Sequence, residues 1–431
     1  MGLDSGGATG SGARALVVGD EPYAVQAGAQ MLRQGGSAVD AAAVMYFALS
    51  VTYPVAAGLG GGGICIVHNG ASGQTEEFDF LARDAASGGA YAVPGNVRGF
   101  ALMQSVYGRL PWQRVVAPAE SMAAAGFPIS LALAARVTAA KDVIRLDANL
   151  AAEFLDESGA PKPAGAVVSN PDLAVTLGQI RTGGANALYR GAVGARIIAY
   201  SQTQGGAIGV PEFARYEALR RQPQVMQIGN AVVYLPDRAV GAGAFAGSLF
   251  DTLNRALQTP TGVNDLQASV IVAVKNALTQ FGVTALPADL GATGFAATDA
   301  NGQSVSCAVT MNGPFGSGRS ATGTGVMLAR APSSGDAGLS AAFLTPVIAA
   351  GGGDFSLAAA GAGGPNATAS VGYALARAGR GESMVRAGDL RSTGAAPNET
   401  VNAISCQSGL CVALPDPGGH GLGASGDNPA Q

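Results

Sequence analysis

The segment DLGATGFAATDANGQSVSCAVTMNGPFGSG, residues 289–318, reads as a strand, a tight turn and a return strand that ends in a glycine-rich loop. Strand alternation puts Thr293, Phe295 and Ala297 on one face and Ala292, Gly294, Ala296 and Thr298 on the other. After the DANG turn at 299–302, Ser306, Ala308 and Thr310 share a face that Asn312 continues. A threonine hydroxyl becomes a nucleophile once a neighbouring base takes its proton. If the peptide bond before it breaks, the freed amine is such a base. Thr293, preceded by the small Ala292, is the candidate for that chemistry; its bland reading is a threonine in a strand, where threonine is common. Gly363 and Gly364, in AAAGAGGPNATAS, lie between a predicted strand and a predicted helix. Backbone N–H groups there can hold an oxyanion without side-chain help, and the plain alternative is a cap and tight turn. Arg83, in EFDFLARDAAS, is the nearest cation in sequence for a substrate carboxylate, against the reading of a surface or salt-bridge arginine.

Other chemistries find little support. Gly58, Gly60 and Gly63 spell GxGxxG, but before a strand rather than between strand and helix, and no GxxxxGK[ST] run exists. Two histidines, His68 and His420, and four dispersed cysteines argue against a structural zinc site. A net charge of −4, with 13% charged residues, gives no electrostatic case for nucleic acid or an anionic membrane. No apolar run is long enough to span a bilayer. The N-terminus as written lacks a basic region followed by an apolar segment, so it does not read as a signal peptide. Cys406 and Cys411, five apart, can form a local disulfide, which favours an oxidising compartment. Cys65 and Cys307 lie in apolar strand-like runs and read as buried thiols.

The elements that must hold these residues follow from periodicity. Residues 1–14 read as a fraying lead-in. Residues 23–32 form a helix stopped by RQGG, and 37–51 a tightly packed helix capped by Ser37 with Asp40 in its first turn. Strands follow at 64–68 and 75–80, then helices through 93–130 and 170–204. Residues 332–338 read as a loop, strands cluster at 343–361, and the glycine- and proline-rich tail reads as mobile beyond the second cysteine. The 65 glycines show no collagen-like period and belong to turns and close backbone approaches. Clusters of strands and helices imply α/β or α+β rather than all-α.

Taken together, GGSAVDAAAVMYFALSVTYPVAAGLGGGGICIV, the FDF run followed by arginine, VPGNVRGFALMQSVYGRLPWQRVVAPAESMAAAGFPIS, SNPDLAVTLGQIRTGGANALYRG, SVSCAVTMNGPFGSG and the GAGG stretch resemble the gamma-glutamyltransferase family of N-terminal nucleophile hydrolases, in order over residues 20–415. The resemblance implies an α+β fold, a four-layer αββα sandwich. It implies a proenzyme that cuts itself before a threonine into a large-subunit-like region, 1–292, and a small-subunit-like region, 293–431, which stay together as one unit. It implies action on gamma-glutamyl or related small amides, as in glutathione metabolism, and no metal, nucleotide or organic cofactor.

Counted back from Asp299 without a gap, the family's nucleophilic threonine falls on Ala292, its second threonine on Thr293 and its histidine on Gly294. Thr310 matches the threonine that supports the nucleophile, Asn312 the substrate-contacting asparagine, and Gly363 and Gly364 the oxyanion glycines. The family's carboxylate-binding arginine falls on Leu81, with Arg83 two residues on; its serine pair falls on Ala342 and Phe343, and its acidic group near Ser333 or Ser334, with Asp336 close by. Two outcomes stay open. A one-residue shift makes Ala292–Thr293 the cleavage site and Thr293 the nucleophile, or the chain is an inactive relative that serves as a binding or scaffold protein. The compartment also stays open: periplasmic or exported if a signal is missing from the chain, otherwise cytoplasmic.

Overall fold

Short runs rich in alanine, valine and isoleucine build two antiparallel sheets in the computed structural model, which describes residues 14–257, 263–351, 355–379, 385–391 and 393–427. The lead-in expected at 1–14 therefore lies, except for Arg14, outside the described residues. The first sheet has seven strands, in the spatial order Leu422–Ser425, Leu16–Gly19, Ala292–Thr298, Ser304–Thr310, Gly62–Asn69, Gln74–Phe80 and Leu219–Arg221. The second has six: Leu410–Leu414, Thr400–Gln407, Phe355–Ala362, Thr345–Gly351, Ala231–Leu235 and Gln224–Ile228. Each large sheet takes strands from both sides of Ala292–Thr293.

Apolar residues on alternate positions sort into three layers of core. Helices Pro22–Arg33, Ala38–Thr52, Asn96–Tyr107 and Trp112–Ala125 cover the outer face of the first sheet. Helices Gly241–Leu257, Val263–Gln280 and Pro365–Gly379 cover that of the second. Between the sheets pack Leu16, Val18, Ile66, Ala296, Ile348, Ala358 and Ile404. This is the α+β sandwich expected from sequence.

The helix predicted at 37–51 runs Ala38–Thr52 and is buried at every position, as an all-round apolar helix must be. Ser37 Oγ accepts from Asp40 N–H at 3.1 Å, while Asp40 accepts from Ser37 N–H at 2.9 Å, closing a capping box. The predicted hairpin also forms, paired from Ala292 opposite Thr310 to Thr298 opposite Ser304. Its inner face is so small that the second sheet presses on it. A Cβ at Gly294 would sit 2.6 Å from the Ala360 carbonyl oxygen, and Ser306 Oγ donates across the gap to Ala359 O at 2.6 Å. Glycine is required at 294 because of this approach.

Three expectations are corrected. Cys65 and Cys307 are not free thiols: they face each other in register on neighbouring strands and form a disulfide across 242 residues of sequence. Burial in an apolar run describes a half-cystine as well as a thiol, so the sequence context did not distinguish them. The second bridge, Cys406–Cys411, forms as expected. The tail is not loose as far as it is described, since Leu422–Ser425 adds an edge strand to Leu16–Gly19. The stretch 332–338 is only partly loop; its end begins the helix Ala337–Ala342.

Candidate active site

Strand Ala292–Thr298 begins at one end of the sandwich, and the polar groups there come from both sheets. Thr293 is fully buried, and its hydroxyl donates to Asp20 Oδ2 at 2.6 Å. Asp20 follows strand Leu16–Gly19 and also accepts from Thr400 Oγ1 at 2.9 Å and Asn402 Nδ2 at 2.7 Å, both on the second sheet. The same Asn402 amide reaches Gly294 O at 2.9 Å. Burial pushes the Asp20 carboxyl above its usual range; the hydrogen bonds from Thr293, Asn402 and Thr400 oppose this, and Asp416 adds to it.

The carbonyl immediately before Thr293 is held as well. Arg136 Nη1 donates to Ala292 O at 3.2 Å. The guanidinium is buried, and a two-pronged pair fixes it, with Nε 3.0 Å from Asp289 Oδ2 and Nη2 on Asp289 Oδ1. Asp289 in turn accepts from Gly291 N–H at 2.7 Å. The peptide from Asp289 to Thr293 is thus pinned on both sides of the Ala292 carbonyl.

The side chain of Ala292 turns the other way. It packs between the sheets with Ile64, Ala308, Leu344 and Ala362, and Leu81 borders the cluster. By strand alternation Thr293 belongs to the opposite face, with Phe295 and Ala297. Ala362 is the last residue of its strand, so Gly363 and Gly364 follow at this same end, before helix Pro365–Gly379. Both need glycine. Gly363 has φ +90°, and a Cβ there would lie 1.9 Å from Asn398 O; one on Gly364 would lie 2.0 Å from Glu399 Oε1.

Thr310 lies opposite Ala292. Its hydroxyl donates to Gly291 O at 2.9 Å and touches that of Ser340, which donates to Leu290 O at 2.6 Å. Asn312 adopts φ 58°, with its N–H on Thr310 Oγ1 at 2.9 Å and Nδ2 on Arg330 O at 2.8 Å. Arg83 stands apart from this group. Its guanidinium lies over the Tyr216 ring, 4.9 Å from the centroid, and among the described residues no hydrogen bond joins it to Asn312, Gly363 or Gly364. Leu81, not Arg83, borders the Ala292 cluster.

The structure therefore gathers Ala292, Thr310, Gly363 and Gly364 at one end of the two sheets; Thr293 lies at the same end, but its hydroxyl bonds Asp20 rather than facing Thr310 or the two glycines. It adds four residues that the sequence reading did not single out: Asp20, Arg136, Asp289 and Asn402. Two of them carry a signal in hindsight. Asp20 is a carboxylate placed directly after the apolar run ALVVG, and Arg136 is the lone charge in LALAARVTAA. The glycines at 60–63 are not a phosphate loop. A Cβ on Gly60 would lie 2.0 Å from Met327 O and one on Gly62 1.9 Å from Ala82 N, so they serve close backbone packing. Among the described residues no group of three or more His, Cys, Asp or Glu converges to hold a metal ion, and no helix is long and apolar enough to cross a membrane. A cavity of about 420 Å³ opens at the opposite end of the sandwich, beside His68, Tyr234 and Thr298, away from this site.

Comparison with known proteins places these features in a family. A family model described as gamma-glutamyltranspeptidase matches residues 24–264, more than half of the chain. Glutathione hydrolase 2 of Arabidopsis thaliana is 33% identical over 233 residues, covering 50% of this chain and 40% of that protein. The glutathione hydrolase proenzyme of Escherichia coli strain K12 is 33% identical over 230 residues, covering 48% and 39%. The matches thus take in less than half the length of these relatives. The crystal structure of cephalosporin acylase from Bacillus halodurans superposes with a TM-score of 0.75 over 99% of this chain and 98% of its own, at 17% identity, a likeness of fold. The chain belongs to the gamma-glutamyltranspeptidase family.

Proposed function

We propose that this protein cuts itself between Ala292 and Thr293 and uses the new N-terminal threonine to transfer the acyl group of a small amide to water or an amine. The observation that carries this reading is the Thr293 hydroxyl, buried at the head of a central strand and already donating to a carboxylate at 2.6 Å. Residues 1–292 and 293–431 then remain one unit, because both contribute strands to both sheets. In the cut protein residue 293 is a free strand end, and its hydroxyl turns from Asp20 to the face of Ala292, where its own amine is the base and the Gly363 and Gly364 N–H groups receive the oxyanion. Thr310, which lies opposite Ala292, orients the nucleophile only after this turn, and Asn312 orients the acyl group. Cleavage also frees Ala292 from the strand, which opens space beside Leu344 and Ala362 for the substrate. The two disulfides favour an oxidising compartment.

The names of its relatives make gamma-glutamyl amides, glutathione among them, the first substrates to test. The apolar surroundings of Ala292, with Leu81 where the family's arginine falls, favour an acyl group that lacks the amino acid's two charges, since a charge brought there would lose water without gaining a partner. A panel of gamma-glutamyl amides and uncharged acyl amides of the same length separates these. Faster turnover of the uncharged set, by about tenfold or more, is expected; about 1.4 kcal/mol of preference suffices for that. No turnover of either set by a correctly cut protein would refute the reading.

A second reading, an uncut relative that binds rather than cleaves, rests on Ala292. Its side chain, not that of Thr293, faces the inter-sheet cluster that includes Ala362. The Gly291 carbonyl is meanwhile held by Met311 N–H and Thr310 Oγ1, both at 2.9 Å. On that reading Ala292→Thr creates a new cut after Gly291, seen as a fragment beginning TTGFAAT; on the main reading cleavage before Thr293 is present without it.

A further inference from the structure

Resting on the proposed cleavage before Thr293, we infer that Asp20 and Arg136 are its catalytic residues: Asp20 takes the proton of the Thr293 hydroxyl, and Arg136 holds the oxyanion that forms on Ala292. Both groups touch reacting atoms, at 2.6 Å from Asp20 Oδ2 to Thr293 Oγ1 and 3.2 Å from Arg136 Nη1 to Ala292 O. Neither is free to drift. Asp20 is clamped by Thr400 and Asn402, and Arg136 by Asp289. A buried carboxylate at hydrogen-bond distance is placed for general-base catalysis, and a fixed guanidinium on a carbonyl oxygen stabilises the charge that develops there.

The step balances within the chain and one water. Thr293 Oγ bonds to the Ala292 carbonyl carbon as its proton passes to Asp20, and negative charge collects on Ala292 O beside Arg136. The tetrahedral centre collapses by breaking the bond from Ala292 C to Thr293 N, and Asp20 returns the proton to the departing amine. The resulting ester between Ala292 and the Thr293 oxygen is hydrolysed by water. This leaves a carboxyl group on Ala292 and restores the Thr293 hydroxyl next to a free amine.

The test follows cleavage of the full-length protein over time by intact mass under reducing conditions. Asp20→Asn keeps the shape and an acceptor oxygen but cannot take a proton, and is expected to slow cleavage by about 10²-fold or more. Arg136→Lys keeps the charge but loses the fork that reaches both Asp289 and Ala292 O, and is expected to slow it by about 10²-fold. Thr293→Cys supplies a thiol, which gives up its proton far more readily than a hydroxyl and so depends less on a base, and it should restore at least part of the cleavage to Asp20→Asn. A purely structural Asp20 would give no such rescue. Cleavage of Asp20→Asn or Arg136→Lys at the wild-type rate overturns the inference and leaves the proposed function standing. So does equal failure of Asp20→Asn with and without Thr293→Cys, when Thr293→Cys alone is cut. Should Asp20→Asn not fold, Arg136→Lys decides the matter by the same criterion. An uncut wild-type protein overturns the inference and the proposed function together.

Discussion

Thr293→Ala is expected to reduce amide turnover to background, a loss of about 10⁴-fold or more, the scale seen when a hydrolase loses its nucleophile. No second hydroxyl takes over, because those of Thr310 and Ser340 are committed to the carbonyls of Gly291 and Leu290. The fold should survive the change. Asp20 loses one donor and keeps Thr400 and Asn402, so the cost is about 1–3 kcal/mol, the range for a buried polar group that loses a hydrogen-bond partner. Turnover and a urea melt of the same preparation check both halves. Retained turnover would point to a different nucleophile, and collapse of the fold would show that Thr293 is chiefly a structural donor.

Asp289→Ala is expected to destabilise the protein by about 3–5 kcal/mol, because it leaves a guanidinium buried without its counter-ion. The side chains of Arg136 and Asp289 are only 7% and 10% exposed, so water cannot replace the lost partner. The substitution also removes the acceptor of Gly291 N–H, which loosens the turn into strand Ala292–Thr298. Urea unfolding of the two proteins measures the difference. A change under about 1 kcal/mol would mean that the pair behaves as an exposed one and does not fix Arg136 on Ala292 O.

Much of the scaffold was legible from local patterns. The hairpin from Ala292 to Thr310 follows from period-two alternation around a DANG turn, and helix Ala38–Thr52 from its cap and unbroken apolar run. The site was legible only in part, and the reason is distance along the chain. Thr293 meets Asp20 across 273 residues and Arg136 meets Ala292 across 156, and no local period encodes such pairings. The Cys65–Cys307 bridge escaped for the same reason, whereas Cys406–Cys411 closes a hairpin and shows in its spacing. The tail misled through composition. Its glycines and prolines suggest disorder, yet Leu422–Ser425 gains order from pairing with Leu16–Gly19, a partner roughly four hundred residues away along an extended chain of contacts that only folding creates.

The Cys65–Cys307 bridge decides how the cut before Thr293 must be measured. That bridge joins a residue of 1–292 to one of 293–431, so the cut pieces stay covalently linked until reduced. The most direct measurement is intact mass of the purified wild-type protein, with and without reductant, together with N-terminal sequencing. One species is expected without reductant, heavier by a single water than the uncut chain, and two after reduction, the smaller beginning TGFAAT. A single uncut chain under both conditions, or a smaller piece beginning anywhere else, would contradict the cut before Thr293.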